Sequence, residues 1–367
     1  MPTSPPHIVI DARSMFTSTG RYTRNLIAHL EQIDTAHRYT IVLPRDRFDD
    51  WTPTSPLFGK VATETPYFSW REQTSFGREL RALRPDLVHF AMPQQPLYLG
   101  ARRVTTFLDM TLLKVRNRKK HWAVSAVKRV IGAGAFVFTA HRSRVNLVIS
   151  AHGGRDLVAH TRVRASSLYV TSPAADVIAD AAIPVETPFP RFVLYVGRQE
   201  PYKNLKRLIR AVVHLRDAGE EIGLVVAGKI DDDGARMIRD LDEQERGAVH
   251  FAGFVTDAQL RGLYEAAAVY AFPSFFEGFG LPGLEAMRHG CAVVSSDATC
   301  LPEVYGDAAI YFDPASTAGM RDAVARVLAD GALAQTLRER GAARAEMFSW
   351  RWMATRTLDA YRDALES

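Results

Sequence analysis

Residues 277 to 285 read Glu-Gly-Phe-Gly-Leu-Pro-Gly-Leu-Glu, which sets two carboxylates, Glu277 and Glu285, on either side of a glycine-rich turn. An apolar run, Val269 to Phe272, leads toward the turn, and a helix-like run, Leu281 to His289, follows it. The first amides of such a helix have no intrahelical acceptor and lie at the positive end of its dipole, so they suit an anionic phosphate. Glu285 falls in the first turns of the helix, where a carboxylate can reach sugar hydroxyls. A second cluster, Gly197-Arg198-Gln199-Glu200-Pro201-Tyr202-Lys203-Asn204, follows the strand-like run Phe192 to Val196. Asn204 reads as the N-cap of the helix that comes next. Arg198 and Lys203 beside that N-terminus could clamp a diphosphate, the alternative being ordinary surface cations. A third cluster opens the chain. Asp11-Ala12-Arg13 ends the first strand, and Ser18 to Thr23 leads into a helix, with Gly20 open to close backbone approach by a ligand. An ordinary strand-to-helix loop is the other reading.

Three further patterns have competing explanations. Gly278 to Gly283 matches G-x-G-x-x-G, and Asp297 after the next strand could mimic the ribose-binding acid of a dinucleotide site. That fingerprint normally opens a domain, however, and here it lies deep in the second half. A purely structural use of the glycines is also open. Asp231-Asp232-Asp233 could attract a metal ion, but a solvated helix start explains it, and no metal is assigned. Lys114 to Lys120 is cationic, with Trp122, Val124, Val127, Val130 and Ile131 following at helical spacing. It reads either as a surface meeting anionic lipid or a lipid-diphosphate acceptor, or as the solvated rim of a core helix.

The elements that must carry these residues alternate. Strands are expected at His7 to Ile10, Tyr39 to Leu43, Leu87 to Phe90, Val104 to Phe107 and Asn146 to Ser150, with helices at Tyr22 to Leu30 and Arg71 to Leu83. Such alternation predicts an α/β fold with a parallel sheet covered on both faces. Three prolines between Ile183 and Pro190 break the pattern, which sets the domains at 1–183 and 184–349. A second series follows: the strand Phe192 to Val196, a helix burying Leu205, Leu208, Ile209, Val212 and Leu215, then strands at Ile222 to Ala227, Val269 to Phe272 and Ala292 to Ser295. A helix from about Arg351 to Leu365 closes the chain.

The chain has 367 residues, 47% hydrophobic and 24% charged, with a net charge of +5. That length implies two domains. The mild basicity fits a phosphate-bearing partner, and no interleaving of aromatic and basic residues argues for nucleic acid. Cys291 and Cys300 have neither C-x-x-C nor zinc spacing and read as reduced thiols. No signal peptide is visible, and no apolar run reaches the roughly 20 residues of a bilayer span. A cytoplasmic protein is expected, with peripheral contact at the inner face of the membrane under the lipid reading.

Arg198 and Lys203, Gly253-Phe254, Phe272-Pro273-Ser274, Glu277 with Glu285, and Ser296 with Leu301-Pro302-Glu303 occur in the order and spacing of retaining glycosyltransferases of family 4, and in this the chain resembles that family. Asp11-x-Arg13 with Gly20-Arg21-Tyr22-Thr23 looks like its opening loop, and Phe348-Ser349-Trp350 its closing helix. The resemblance implies the GT-B architecture: two facing Rossmann-like domains with parallel sheets, the C-terminal helix (350–367) crossing back to the first. It implies transfer of a hexose from a nucleotide-diphosphosugar to a glycan or lipid-linked hydroxyl, with no cofactor and no metal. Similarity to bacterial mannosyltransferases points to mannose and GDP, with UDP-sugars open. By the same resemblance Arg198 and Lys203 hold the diphosphate and Glu285 the ribose. Glu277, Phe279, Gly280 and Leu281 meet sugar and phosphate, the base lies near Gly253 and Val255, and Gly20 lies near the diphosphate. Leu108 stands where the family often has histidine, next to Asp109 on the acceptor or sugar side. A non-catalytic sugar-nucleotide partner of a glycan assembly complex is the alternative.

Overall fold

The computed structural model describes residues 5–17, 19–110 and 122–366. The basic stretch Lys114 to Lys120 lies outside the described residues, as do the side chains of 122–131, and so does the cationic-surface expectation. Contacts divide the chain into two units, Met1–Pro173 with Ser349–Ser367, and Ala174–Phe348.

The first unit holds strands β1 (His7–Asp11), β2 (Arg38–Pro44), β3 (Phe58–Thr63), β4 (Leu87–Phe90), β5 (Arg102–Phe107), β6 (Val145–Val148) and β7 (Leu168–Val170). They form one sheet in the order β3-β2-β1-β4-β5-β6-β7. Its helices are α1 (Arg21–Ile33), α2 (Gly77–Ala82), α3 (Trp122–Arg142) and α4 (Ala151–Thr161). A π-type turn, Glu72–Phe76, precedes α2 where one continuous helix was expected.

The second unit runs β8 (Phe192–Val196), α5 (Leu205–Asp217), β9 (Gly223–Ala227), α6 (Asp232–Arg239), α7 (Glu243–Ala248), β10 (Val249–Gly253), α8 (Asp257–Ala266), β11 (Val269–Phe272), α9 (Leu281–Arg288), β12 (Val293–Ser296), α10 (Leu301–Tyr305), β13 (Ala309–Phe312), α11 (Thr317–Ala329) and α12 (Gly331–Glu346). Its sheet order is β10-β9-β8-β11-β12-β13. Every pairing in this sheet is parallel. Helix α5 buries Leu205, Leu208, Ile209, Val212 and Leu215, the stripe that its spacing predicts.

Four strands have no counterpart in the sequence reading: β3, β7, β10 and β13. They are the edges of the two sheets. A central parallel strand is covered on both faces and shows as a continuous apolar run, whereas an edge strand need not. Strand β3 carries Gly59 and Lys60, and β10 carries His250 and ends in Gly253.

Residues 174–191 belong to the second unit, although the sequence places the boundary after Ile183. Arg261 holds the carbonyls of Ile178 and Asp180, each at 3.1 Å, and the Ile183 amide donates to Ala258 at 3.0 Å. Gly262 leaves room for this segment, since a Cβ there would lie 2.2 Å from the Ile183 carbonyl oxygen.

Helix α13 (Trp350–Glu366) returns to the first unit and packs on α1, β5 and β6. Its Tyr361 is fully buried, with its hydroxyl 2.6 Å from Nδ1 of His89 on β4. The other ring nitrogen of His89 is 2.8 Å from the Thr106 hydroxyl. Burial pulls the His89 imidazole down to about 3, so the folded protein holds it neutral. A depressed histidine contributes stability that is complete above the unfolded value of 6.5 and is lost as pH falls from there toward 3. The melting temperature is expected to fall across that window, with at most about 1.4 kcal/mol lost per pH unit from this group. A pH series on His89→Gln, followed by circular dichroism, should show a shallower fall than the unsubstituted chain.

Candidate active site

In both sheets the strand order reverses beside the first strand of the unit, between β1 and β4 and again between β8 and β11. Open parallel sheets offer a crevice at the carboxyl ends of strands flanking such a point. The loops after β8 and β11 carry Arg198, Lys203 and Glu277.

Glycines shape the strand ends. The Gly197 amide donates to Ala227 at 2.9 Å, and the Gly228 amide to Gly253 at 2.8 Å. Gly228 has φ +144°, and a Cβ there would lie 2.4 Å from the Gly197 carbonyl oxygen. The loops after β8, β9 and β10 are thereby stacked edge to edge. Gly253, at the end of β10, has open space around its Cβ position. The neighbouring Phe254 is 81% exposed, and Val255 is partly buried.

Lys203 and Glu277 meet directly, Nζ to Oε1 at 2.7 Å, with side chains 18% and 12% exposed. The backbone fixes this pair from both sides. The Phe275 amide donates to the Tyr202 carbonyl at 2.8 Å. Asn204 occupies the N-cap position of α5 in a left-handed conformation, φ +61°, and its side chain makes no cap. Its amide instead donates to the Pro273 and Pro314 carbonyls at 3.0 and 2.7 Å. The N-cap expectation is corrected on this point: Asn204 ties the two loops together, and its positive φ makes that reach possible. Thr299, also at positive φ (+55°), accepts from the Glu277 amide at 3.2 Å. The Cys300 thiol, pushed well up by burial and then by the charge of Glu277, donates to the Glu277 carbonyl at 3.3 Å.

Arg198 is placed differently. It pairs with Asp231 at 3.1 Å and with Glu200 at 3.2 Å, and its side chain is 59% exposed. Asp231 is the N-cap of α6, accepting from the amides of Asp233 and Gly234. Partial burial works to raise the Asp231 carboxyl, but the Gly234 amide and the Arg198 guanidinium outweigh it and hold it below the usual carboxylate range. Among the described residues no group of three or more His, Cys, Asp or Glu is arranged to hold a metal ion.

The glycine-rich turn is set by one tyrosine. The buried Tyr305 of α10 donates to the Gly280 carbonyl at 2.6 Å. A Cβ on Gly280 would come within 2.5 Å of its hydroxyl, and one on Gly283 within 2.2 Å. These two glycines make room for Tyr305, and they follow the fourth strand of the unit rather than the first. Phe279 is buried, edge-on to Phe348 at 5.4 Å. Leu281 begins α9, so its amide has no intrahelical acceptor. Glu285 is buried on α9 and accepts from the Tyr264 hydroxyl at 3.2 Å.

In the first unit, Arg13 is a buried structural hub. It binds Asp11 and Glu72, both at 2.8 Å, and stacks on Tyr67 and Phe76 at 4.1 and 3.8 Å. The Cβ position of Gly20 is filled by the carbonyls of Ser14 and Met15, each at 2.2 Å, so the close approach there is made by its own loop. Asp109 is exposed just past β5, beside the half-buried Leu108. The roles of Asp231, Thr299, Tyr264 and Tyr305 had no signal in the sequence. Each acts across a sequence gap set by strand order rather than by spacing.

Two Rossmann-like units, the second carrying a cation–carboxylate pair at its switch point and the first completed by the C-terminal helix, define a glycosyltransferase of the GT-B architecture. Sucrose-phosphate synthase from Thermosynechococcus elongatus superposes with a TM-score of 0.78 over 98% of each chain, at 20% identity. The family model described as "Glycosyl transferases group 1" matches residues 180–344. The O-antigen chain mannosyltransferase B of Escherichia coli is 30% identical over 273 residues, 71% of this chain and 70% of that one. The serotype-specific mannosyltransferase WbdA of Escherichia coli is 34% identical over 180 residues, 48% of this chain and 22% of that protein. The chain belongs to the group 1 glycosyl transferases.

Replacing Asn204 by alanine removes the bonds to Pro273 and Pro314 and forces a Cβ residue without a polar side chain into positive φ. A stability loss of about 2–4 kcal/mol is expected in chemical denaturation. Asn204→Gly relieves the backbone strain and should lose less.

Proposed function

We propose that the protein transfers a mannosyl residue from a nucleoside-diphosphate sugar, GDP-mannose first among candidates, to a hydroxyl of a glycan or lipid-linked acceptor, with retention at the anomeric carbon and without a metal ion. The Lys203–Glu277 pair carries this reading. It is an enclosed cation already oriented at a switch-point crevice, and its partner is a carboxylate rather than solvent. An incoming diphosphate competes for Lys203 and releases Glu277 toward the donor sugar. Negative charge that develops on the leaving diphosphate then meets a cation that needs no reorganisation, the arrangement that gives electrostatic catalysis its size. Arg198, held near the same loop by Asp231 and Glu200, adds a second cation. Donor bond cleavage and acceptor attack occur on one face, with the acceptor proton passing to the departing phosphate oxygen. The similarity to two mannosyltransferases of Escherichia coli supports mannose.

Leu108 favours a second reading, a sugar-nucleotide-binding partner without turnover, because it puts an aliphatic group at the end of β5. Turnover separates the two. The purified chain should release GDP from GDP-mannose, and Lys203→Ala should lower kcat by roughly 10²-fold or more. Unchanged kinetics would remove Lys203 from the reaction, and no turnover with any nucleotide sugar would favour the second reading. Glu285→Gln keeps a partner for Tyr264 and should weaken GDP binding by about tenfold, the size of one lost charged hydrogen bond, as measured by calorimetry.

A further inference from the structure

The amino ends of β5, β6 and β7 line a cleft of about 710 Å³ in the first unit. In a parallel sheet this edge is opposite the carboxyl ends, so the cleft lies away from the loops that carry Asp11, Gly20 and Asp109. Arg102, Arg142, Arg144 and Arg164 contribute to its walls, and all four are exposed. Elsewhere arginines meet carboxylates, as Arg13, Arg198, Arg236 and Arg261 do. Among the described residues no carboxylate lies within ion-pair reach of these four. The acidic residue in the lining, Asp363, takes the Tyr169 hydroxyl.

A fifth guanidinium lies beneath them. Arg103 is 1% exposed and donates only to neutral acceptors: the Gln95 side chain at 3.3 Å and the carbonyls of Pro96 and Leu97 at 3.0 and 2.9 Å. Burial, and then the charge of Arg142, lower it to about 10. It remains a cation at neutral pH, so a charge held away from water reinforces the field of the exposed four. Like charges gathered in this way repel, and an anion that enters the cleft relieves them. The site is a concavity of small-molecule size rather than an extended basic stripe.

We propose that this cleft binds a ligand carrying clustered phosphates, either a free oligophosphate or the phosphate head of a lipid. Guanidinium forks match phosphate oxygens in pairs, and several converge here from three strand ends. The site is independent of the donor reading, because it uses other residues in the other unit.

Calorimetric titration of the full chain with sodium tripolyphosphate tests it, alongside Arg144→Gln/Arg164→Gln and Lys203→Ala. Both arginines are exposed, so the double variant should melt with the unsubstituted chain. Tripolyphosphate affinity should fall at least about tenfold in the double variant, as two charge contacts are lost, whereas Lys203→Ala, which removes a cation of the other phosphate site, should leave this tripolyphosphate site in place. Equal affinity in the double variant would overturn the proposal, as would loss confined to Lys203→Ala. Sedimentation with phosphatidylcholine vesicles containing phosphatidic acid identifies the source. Vesicle binding that the double variant loses and tripolyphosphate displaces supports a lipid head, and tripolyphosphate binding without vesicle binding supports a free oligophosphate. A short DNA duplex that binds more tightly than tripolyphosphate, and fails to bind the double variant, would make the cleft a nucleic-acid surface and overturn the proposal.

Discussion

Lys203 and Glu277 are neighbours because β8 and β11 are neighbours. The two strands run parallel in register, Val193 beside Val269 and Leu194 beside Tyr270, although two strands and four helices separate them in the chain. The helices that follow them cover opposite faces of the sheet, so the loops leaving their carboxyl ends part and leave a crevice. Every other feature of the site answers to that parting. The Phe275–Tyr202 bond, the Asn204 amide and the ion pair draw the diverging loops together at defined points. Because the ion pair is largely enclosed, removing one partner would strand the other charge, a far larger penalty than breaking a surface pair.

Buried hydroxyls brace the loops on both sides of the crevice, that of Lys203 included. Tyr195 donates to the Arg198 carbonyl at 2.6 Å, Tyr305 to Gly280 and Tyr264 to Glu285, and all three side chains are buried. A buried hydroxyl costs free energy unless it is bonded, so each of these tyrosines holds a loop carbonyl or carboxylate at a fixed distance. The glycines at 280 and 283 are the steric complement of one of these rings. A pattern that resembles a nucleotide fingerprint in the sequence is, in space, a socket for Tyr305.

Much of the fold was legible because central parallel strands are apolar on both faces. Leu87–Phe90, Phe192–Val196 and Val269–Phe272 have the bounds expected of them. The edge strands were not legible, for the same reason reversed. In the site, Glu277, Lys203 and Glu285 stood out as charged residues next to glycine turns and helix starts. Their partners did not. Asp231 was legible as a helix start but not as the counter-ion of Arg198, because that contact depends on β9 lying beside β8. Asn204 was legible as a residue at a helix start, yet its left-handed backbone redirects the side chain from its own helix to two distant carbonyls. Arg13 was legible only as a charge at the end of the first strand, and the aromatic sandwich that buries it comes from residues more than fifty positions away.

The helix α13 that buries Tyr361 against His89 has a consequence for how the chain is made. A ribosome delivers residues 350–366 after the whole of the second unit. The second unit therefore has its complete sequence while the first still has an open face over β5, β6 and α1. The unit begun first is finished last. Until then His89 lacks one of its two partners, and an apolar surface that the finished protein never shows stays open to solvent and to chaperones.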